Sequence, residues 1–223
     1  MSGARDEILA RVRDALSRGR AELARRGVSA PELPSLDASP ESLGAPGGLD
    51  TQAARVARFV ERVEAVGGRV RRAKSEKEAA AALRSIAGEA RFFAVSDAPL
   101  AVRLADTAFG PRGGRVPYDG SRDELMACRF GVTCAQHAIA ETGTLVLRSR
   151  DERHRLISLV PDVHIAILRA EDVLPDLRAA LLAVKDDPAA TFITGPSRTG
   201  DIELTLVVGV HGPKELHVIL IDA

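Results

Sequence analysis

The stretch VHIAIL, residues 163–168, decides the fold of this chain. It is a short run of strand length, and its side chains are apolar on both faces apart from one histidine. The run LHVILI, residues 216–221, has the same character. Strands of this kind are typical of parallel sheets that are covered on both sides. The sequence therefore predicts an α/β fold with a mostly parallel central sheet and helices on both faces.

Other strands and helices are predicted around these two runs. Apolar runs predict strands at 69–73, 91–96, 145–147 and 191–194. Helical spacing of apolar residues, glycine stops and two Ser-x-x-Glu capping boxes predict helices at 5–26, 51–66, 76–88, 97–105, 121–128 and 170–187. Residues 202–208 fit either a helix or a strand, because their apolar residues alternate after a glycine-rich loop.

The division of the chain into segments follows its composition. Residues 1–27 form the amino-terminal amphipathic helix, which packs either on its own domain or on a partner. Residues 28–50 contain four prolines and three glycines, which indicates a linker or a surface arm. Residues 51–223 form the α/β domain.

Charge and cysteine content exclude several classes of function. Lys+Arg and Asp+Glu number 31 each, so no nucleic acid or anionic membrane is expected as a partner. Cys128 and Cys134 are too few for a disulfide framework or for the four thiolates of an iron–sulfur cluster. No cofactor is therefore expected in this chain. Without a long apolar run or a targeting segment, we expect a cytoplasmic protein with no membrane span.

The loop GPSRTGD, residues 195–201, is the first candidate site. If the preceding strand belongs to a parallel sheet, this loop lies at its carboxyl end, where ligands bind. Arginine and hydroxyl groups beside glycine suit a carboxylate or a phosphate. The candidate anion-binding residues here are Gly195, Ser197, Arg198, Thr199, Asp201 and Glu203. The alternative is a plain turn in which the arginine pairs with one of the two acids.

The segment AIAETGTLVL, residues 138–147, is the second candidate. Glu141 precedes a buried strand and is a candidate nucleophile or base, with Thr142, Gly143 and Thr144 beside it as ligand-binding residues. The alternative is a carboxylate that caps a turn. We expect this segment to converge with the 195–201 loop and with residues 211–213.

The histidines do not form a metal motif. His211 lies in a His-Gly-Pro turn and is a candidate catalytic residue, whereas His164 and His217 lie in predicted strands and favour structural roles. The sequence has no His-Glu-x-x-His pattern, so no metal site is predicted.

Four blocks together resemble the lactate-utilization (LUD) domain family. They are GVTCAQHAIAETGTLVLRS at 131–149, RLISLVPDVHIAIL at 155–168, ITGPSRTGDIE at 193–203 and GVHGPKELHVILID at 209–222. The resemblance covers roughly residues 51–222. The chain departs from the family pattern at Gly200 and in the Cys-Ala-Gln-His run at 134–137.

The resemblance implies a fold similar to the sugar-phosphate isomerase and coenzyme A transferase group. It also implies a role in oxidising L-lactate to pyruvate beside partner proteins that carry the iron–sulfur clusters, with this chain as a component without a cluster. The family transfers no settled catalytic residues. The alternative is a stand-alone transferase, isomerase or hydrolase that acts on a small anionic substrate, with Glu141 as its nucleophile or base. A third possibility is an interaction module whose loops serve folding only.

Overall fold

The computed structural model divides the chain into two units, residues 1–43 and 44–223. It describes residues 7, 10, 11, 14, 15, 17, 18, 25, 49–88, 90, 92–111, 115, 116, 121–152, 155–200, 206–208 and 212–222. For residues 115, 116, 199, 200 and 206–208, the description is limited to the backbone. In the first unit, the described positions are helical and exposed, with ion pairs Arg11–Glu7 and Arg18–Asp14 one helical turn apart.

The second unit contains five α-helices and twelve strands among the described residues. The helices are α1 (Gln52–Ala65), α2 (Glu76–Ala87), α3 (Pro99–Phe109), α4 (Arg122–Met126) and α5 (Leu177–Ala183). The strands are β1 (Arg69–Ala73), β2 (Phe93–Val95), β3 (Arg115–Val116), β4 (Phe130–Cys134), β5 (His137–Ile139), β6 (Thr144–Arg148), β7 (Val163–Arg169), β8 (Val173–Leu174), β9 (Ala190–Thr194), β10 (Arg198–Gly200), β11 (Leu206–Val208) and β12 (Glu215–Ile221). Two 3₁₀ turns, Arg155–Ser158 and Ala170–Asp172, flank β7.

The central sheet has six strands in the order β1-β12-β7-β4-β2-β3, and every neighbouring pair is parallel. Alternate side chains of β7 and β12 enter two separate cores. Phe93, Phe130 and Ile165 pack with α2 and α3 on one face. Ala166 and Val218 pack with α1 on the other. This confirms the predicted mostly parallel sheet with helices on both faces.

The helix α1 forms where sequence patterning predicts it. The Thr51 side chain caps its amino end by accepting a hydrogen bond from the backbone N–H of Ala54. The apolar face carries Phe59 and Val63, both fully buried against the sheet. Burying a side chain of this size contributes roughly 1.5–3 kcal/mol. Leu49, which the sequence places in the linker, is also buried in this core.

A second sheet covers the same face as α1 and was not predicted. Its order is β8-β5-β6-β9, and the β5/β6 and β6/β9 pairs are antiparallel. The strand predicted at 191–194 therefore does not belong to the parallel sheet. Its alternation of exposed Phe192 and Thr194 with half-buried Thr191 and Ile193 is typical of a strand covered on one side.

The helix predicted at 170–187 is wrong over its first half. Val173 and Leu174 form β8 instead, beside β5. Pro175 follows, and the carboxylate of Asp176 accepts a hydrogen bond from the N–H of Ala179, which starts α5. Of the ambiguous residues 202–208, the described part is a strand, since β11 pairs antiparallel with β10. No helix among the described residues is long and apolar enough to cross a membrane.

Candidate functional site

A cleft of about 540 Å³ lies beside the amino ends of two central strands. His164 at the start of β7 and Leu216 at the start of β12 line one side of it. Residues 191–198, from β9 and the loop after it, line the other. Arg155 and Ser158 come from the 3₁₀ turn before β7. The volume is within the usual range for small-molecule sites.

The charge of this cleft suits an anion. Arg155 and Arg198 both line it, together with the hydroxyls of Ser158 and Ser197. No carboxylate occurs among the lining residues that the structure describes. Guanidinium groups present planar pairs of N–H donors that match carboxylate and phosphate oxygens. The described lining therefore combines two cationic side chains with apolar residues such as Leu159, Phe192 and Leu216.

The guanidinium of Arg198 packs against the glycine turn that follows α1. A Cβ atom at Gly67 would collide with the guanidinium of Arg198, and Gly67 also has a φ of 86°. Other residues rarely adopt that backbone conformation. The turn after α1 and the arginine are thus fitted to one another.

Two of the loops predicted to converge pack on the carboxyl end of α1. Gly195 approaches Val66 so closely that an added Cβ would lie 2.9 Å from the Val66 side chain. A Cβ added to Gly143 would lie 2.6 Å from the backbone nitrogen of Val63. The hydroxyls of Thr144 and Thr194 lie 2.8 Å apart and join the two loops.

The third loop, residues 211–213, contacts the 195–201 loop through its described part. The N–H of Ser197 donates to the carbonyl of Pro213 at 2.8 Å, and Gly212 packs on the Ser197 side chain. The described residues of all three loops therefore form one contiguous region.

The predicted site residues fall into three groups in the structure. Those that line the cleft are Gly195, Ser197 and Arg198. Those that lie beside it without lining it are Glu141, Thr142, Gly143 and Thr144, and of these Glu141 and Thr142 are exposed. Thr199 has only its backbone described, in β10, while Asp201, Glu203 and His211 lie outside the described residues.

Contrary to the prediction from the sequence, the 195–201 loop does not follow a strand of the parallel sheet. The sequence places this loop at the carboxyl end of a parallel strand, but β9 is antiparallel to β6 and lies in the second sheet. The cleft faces the amino ends of β7 and β12 instead. The loop reaches it because the second sheet lies over that half of the central sheet.

His164 lines the cleft, although its position in a predicted strand favours a structural role. It is 1% exposed, and its Nε2 lies 2.8 Å from the hydroxyl of Thr133 on β4. Burial lowers the pKa of His164 to about 4, so the ring is neutral at physiological pH. The ring lines the cleft and brings no charge to it.

Glu152 is a buried acid that the sequence does not reveal. It is 4% exposed, and its Oε1 accepts hydrogen bonds from the N–H of Cys134 at 2.7 Å and the hydroxyl of Ser96 at 3.0 Å. Burial raises the pKa of Glu152 to about 8. Its neighbours in sequence, RSRDERH at 148–154, are typical of a solvated loop, so the pattern gives no sign of burial.

The described residues offer no metal site, since no group of three or more His, Cys, Asp or Glu side chains in them is placed to hold an ion. Cys134 is also not a reactive thiolate. Burial, with the nearby charge of Glu152, raises the pKa of Cys134 to about 12, so the thiol stays protonated.

The family model of the LUD domain matches residues 56–221, and the chain therefore belongs to the LUD domain family. Lactate utilization protein C of Deinococcus radiodurans is 42% identical over 106 residues, which are 45% of this chain and 50% of that protein. Lactate utilization protein C of Oceanobacillus iheyensis is 36% identical over 113 residues, 46% of this chain and 48% of that protein. The aligned part thus spans about half the length of these curated relatives.

One solved structure supports the fold. The crystal structure of a DUF162 family protein from Deinococcus radiodurans matches with a TM-score of 0.60 at 24% identity. The match covers 77% of this chain and 98% of that one. At this identity the likeness concerns the fold alone.

Proposed function

We propose that this chain is the component without an iron–sulfur cluster in a system that oxidises L-lactate to pyruvate, and that it binds a small carboxylate or phosphate in the cleft. The family supports the metabolic role, because relatives at 34–42% identity carry the name lactate utilization protein C. The observation that carries the binding role is the pair Arg155 and Arg198 in a cleft with no described carboxylate.

The chemistry of a bound anion follows from these groups. A carboxylate accepts charge-assisted hydrogen bonds from guanidinium, each worth about 1.5–3 kcal/mol. The hydroxyl of Ser197 is available for a hydroxyl or carbonyl group on the same molecule, whereas the hydroxyl of Ser158 donates to the carbonyl of Arg155 and can only accept a further hydrogen bond. At about 540 Å³ the cleft is larger than lactate alone requires, so a larger carboxylic acid or an organic phosphate also fits.

Electron transfer is assigned to the partner proteins in this proposal. The chain has only two cysteines, Cys128 and Cys134, and both are free thiols. The raised pKa of both thiols makes them poor metal ligands, because the thiolate is the ligating form. We therefore place the iron–sulfur clusters in partner proteins. Free thiols also support a reducing compartment such as the cytoplasm.

A deletion strain tests the metabolic role. In the organism that encodes this chain, loss of its gene should slow the oxidation of L-lactate, and the wild-type gene should restore it. Arg198→Gln should restore it poorly, while the matched control Arg58→Gln, on the exposed part of α1, should restore it fully. A normal rate of lactate oxidation in the deletion strain would contradict the proposal.

A tagged chain tests the partnership. Purified from lactate-grown cells, it should bring down proteins with the visible absorption of iron–sulfur clusters. A colourless chain without partners would contradict this part of the proposal.

The alternative of a stand-alone transferase, isomerase or hydrolase has less support. It requires Glu141 to reach the substrate, yet Glu141 lies on an exposed turn and does not line the cleft. Its N–H donates to the carbonyl of Pro175, which fixes the turn at the edge of the second sheet.

A further inference from the structure

Glu152 lies at the carboxyl ends of two neighbouring central strands. Ser96 directly follows β2 and Cys134 ends β4, and both donate hydrogen bonds to the Glu152 carboxyl group. From β2 the chain continues to β3 on one side of the sheet, whereas from β4 it continues to β7 on the other. The crevice between two such strands is the position at which open parallel sheets bind their ligands.

A small cavity shares lining residues with both this position and the cleft. Its volume is about 10 Å³, and Glu152 and Thr133 line it. Arg155, Ser158 and Thr191 line both the cavity and the cleft. The Glu152 carboxyl group therefore lines the same small cavity as three residues that also line the cleft.

A hydrogen bond provides a second connection. Thr133 lines the small cavity, and its hydroxyl lies 2.8 Å from Nε2 of His164, which lines the cleft. Glu152 therefore shares the small cavity with Arg155, which lines the cleft, and with Thr133, which is hydrogen-bonded to His164 of the cleft.

We propose that Glu152 is the proton-exchanging group of this site, taking up a proton from solvent when an anion binds in the cleft. The inference rests on the proposed anion-binding function. An anion bound at Arg155 places negative charge next to the small cavity that the Glu152 carboxyl group lines, and nearby negative charge disfavours the ionised carboxylate. The anion therefore binds better when Glu152 is protonated, and Glu152 holds its proton more tightly when the anion is bound.

The other titratable groups near Glu152 either disfavour its ionised form or are uncharged at neutral pH. The carboxylates of Asp97 and Asp151 disfavour its ionised form. The Cys134 thiol and the His164 ring are uncharged at neutral pH, since the pKa of the first is about 12 and that of the second about 4. Proton uptake on binding is thus assigned to Glu152, whose pKa of about 8 lies in the accessible range.

Calorimetry of anion binding tests this inference. The probes are L-lactate and sulfate, neither of which titrates between pH 6.5 and 9. The proteins are the full-length wild type, Glu152→Gln, and Glu64→Gln as an exposed control. For wild type and control, affinity should fall at least about fivefold from pH 6.5 to 9, and titrations in two buffers of different ionisation enthalpy should show proton uptake. For Glu152→Gln, the affinity should change less than about twofold.

Two results would overturn the inference, and they differ in what else they reject. Equal pH dependence in wild type and Glu152→Gln would overturn it while leaving the anion site intact. Failure of both anions to bind to the wild type would overturn it together with the proposed anion binding. A ¹³C titration of the wild-type carboxyl groups gives the same decision without a substitution: the resonance with a midpoint near 8 should shift upward with lactate, and an unchanged midpoint would reject the coupling.

Discussion

Replacing Glu152 by glutamine is expected to stabilise the protein at alkaline pH. The carboxyl group is 4% exposed, and its pKa is raised from 4.5 to about 8, chiefly by burial. Below pH 4.5 the group is protonated in both folded and unfolded states. As pH rises to 8, the unfolded state ionises freely while the folded state holds the proton, so stability is lost.

The size of this effect follows from the linkage between proton binding and folding. Each pH unit between the two pKa values costs the folded wild type about 1.4 kcal/mol. Glutamine resembles the protonated acid, keeps an oxygen for the N–H of Cys134 and the hydroxyl of Ser96, and does not ionise. The variant should therefore gain on the order of 4 kcal/mol relative to wild type between pH 5 and 8, with no further gain above.

Urea denaturation followed by far-ultraviolet circular dichroism measures the difference. Fluorescence is a poor probe here, because the chain has no tryptophan and one tyrosine. Subtracting the unfolding free energy of the wild type from that of the variant at each pH cancels the contributions of groups common to both proteins. These include His164, whose pKa is lowered. The exposed control Glu64→Gln should show a flat difference. A flat difference for Glu152→Gln from pH 5 to 9 would refute the burial argument.

Three further predictions concern the turn residues, the thiol and the exposed acid. Gly143→Ala should cost about 1–2 kcal/mol for its positive φ and more for the contact with the backbone of Val63. Gly88→Ala, at φ 59° and ψ −130° with open space around it, should cost only the strain of that glycine-specific backbone conformation. Chemical denaturation measures both. Cys134 should resist iodoacetamide at pH 8 in the folded protein, and rapid labelling seen by mass spectrometry would contradict its raised pKa. Glu141→Gln should leave lactate affinity within about twofold, because an exposed group outside the cleft adds little to binding; a larger loss in calorimetry would return Glu141 to the site.

The central sheet could be predicted because its signal is local. Runs such as VHIAIL at 163–168 have the length and the two-sided apolar character that a buried parallel strand requires. The signal for helix α1 is also local, because its capping threonine directly precedes the helix and its apolar face lies within it. Each of these elements satisfies propensity, patterning and burial at once.

The second sheet could not be predicted because its pairing is distant in sequence. β9 pairs with β6 about 45 residues earlier, and β8 pairs with β5. The segment 170–187 has acids and apolar residues at helical spacing, but burial of Val173 beside β5 and the break at Pro175 override that pattern. Local propensity is a weak guide where a tertiary contact competes.

Only part of the candidate site could be predicted, because the rest of it also depends on contacts between residues distant in sequence. Gly195, Ser197 and Arg198 are visible as a glycine-flanked polar loop, and the structure places them in the cleft. Arg155 and Glu152 are hidden in a charged run, where only the tertiary fold decides which side chain is buried. Charged residues are rarely buried without partners, so no sequence rule would have selected Glu152.

The most direct test of the central claim is the affinity of the cleft for L-lactate and sulfate, measured by calorimetry at low salt. Arg155→Gln and Arg198→Gln should each weaken binding at least about tenfold, because each removes a charge-assisted hydrogen bond worth about 1.5–3 kcal/mol. Arg58→Gln should leave binding unchanged, and added salt should weaken binding to the wild type. Unchanged affinity in both cleft variants would contradict the account, because the anion would then be bound elsewhere.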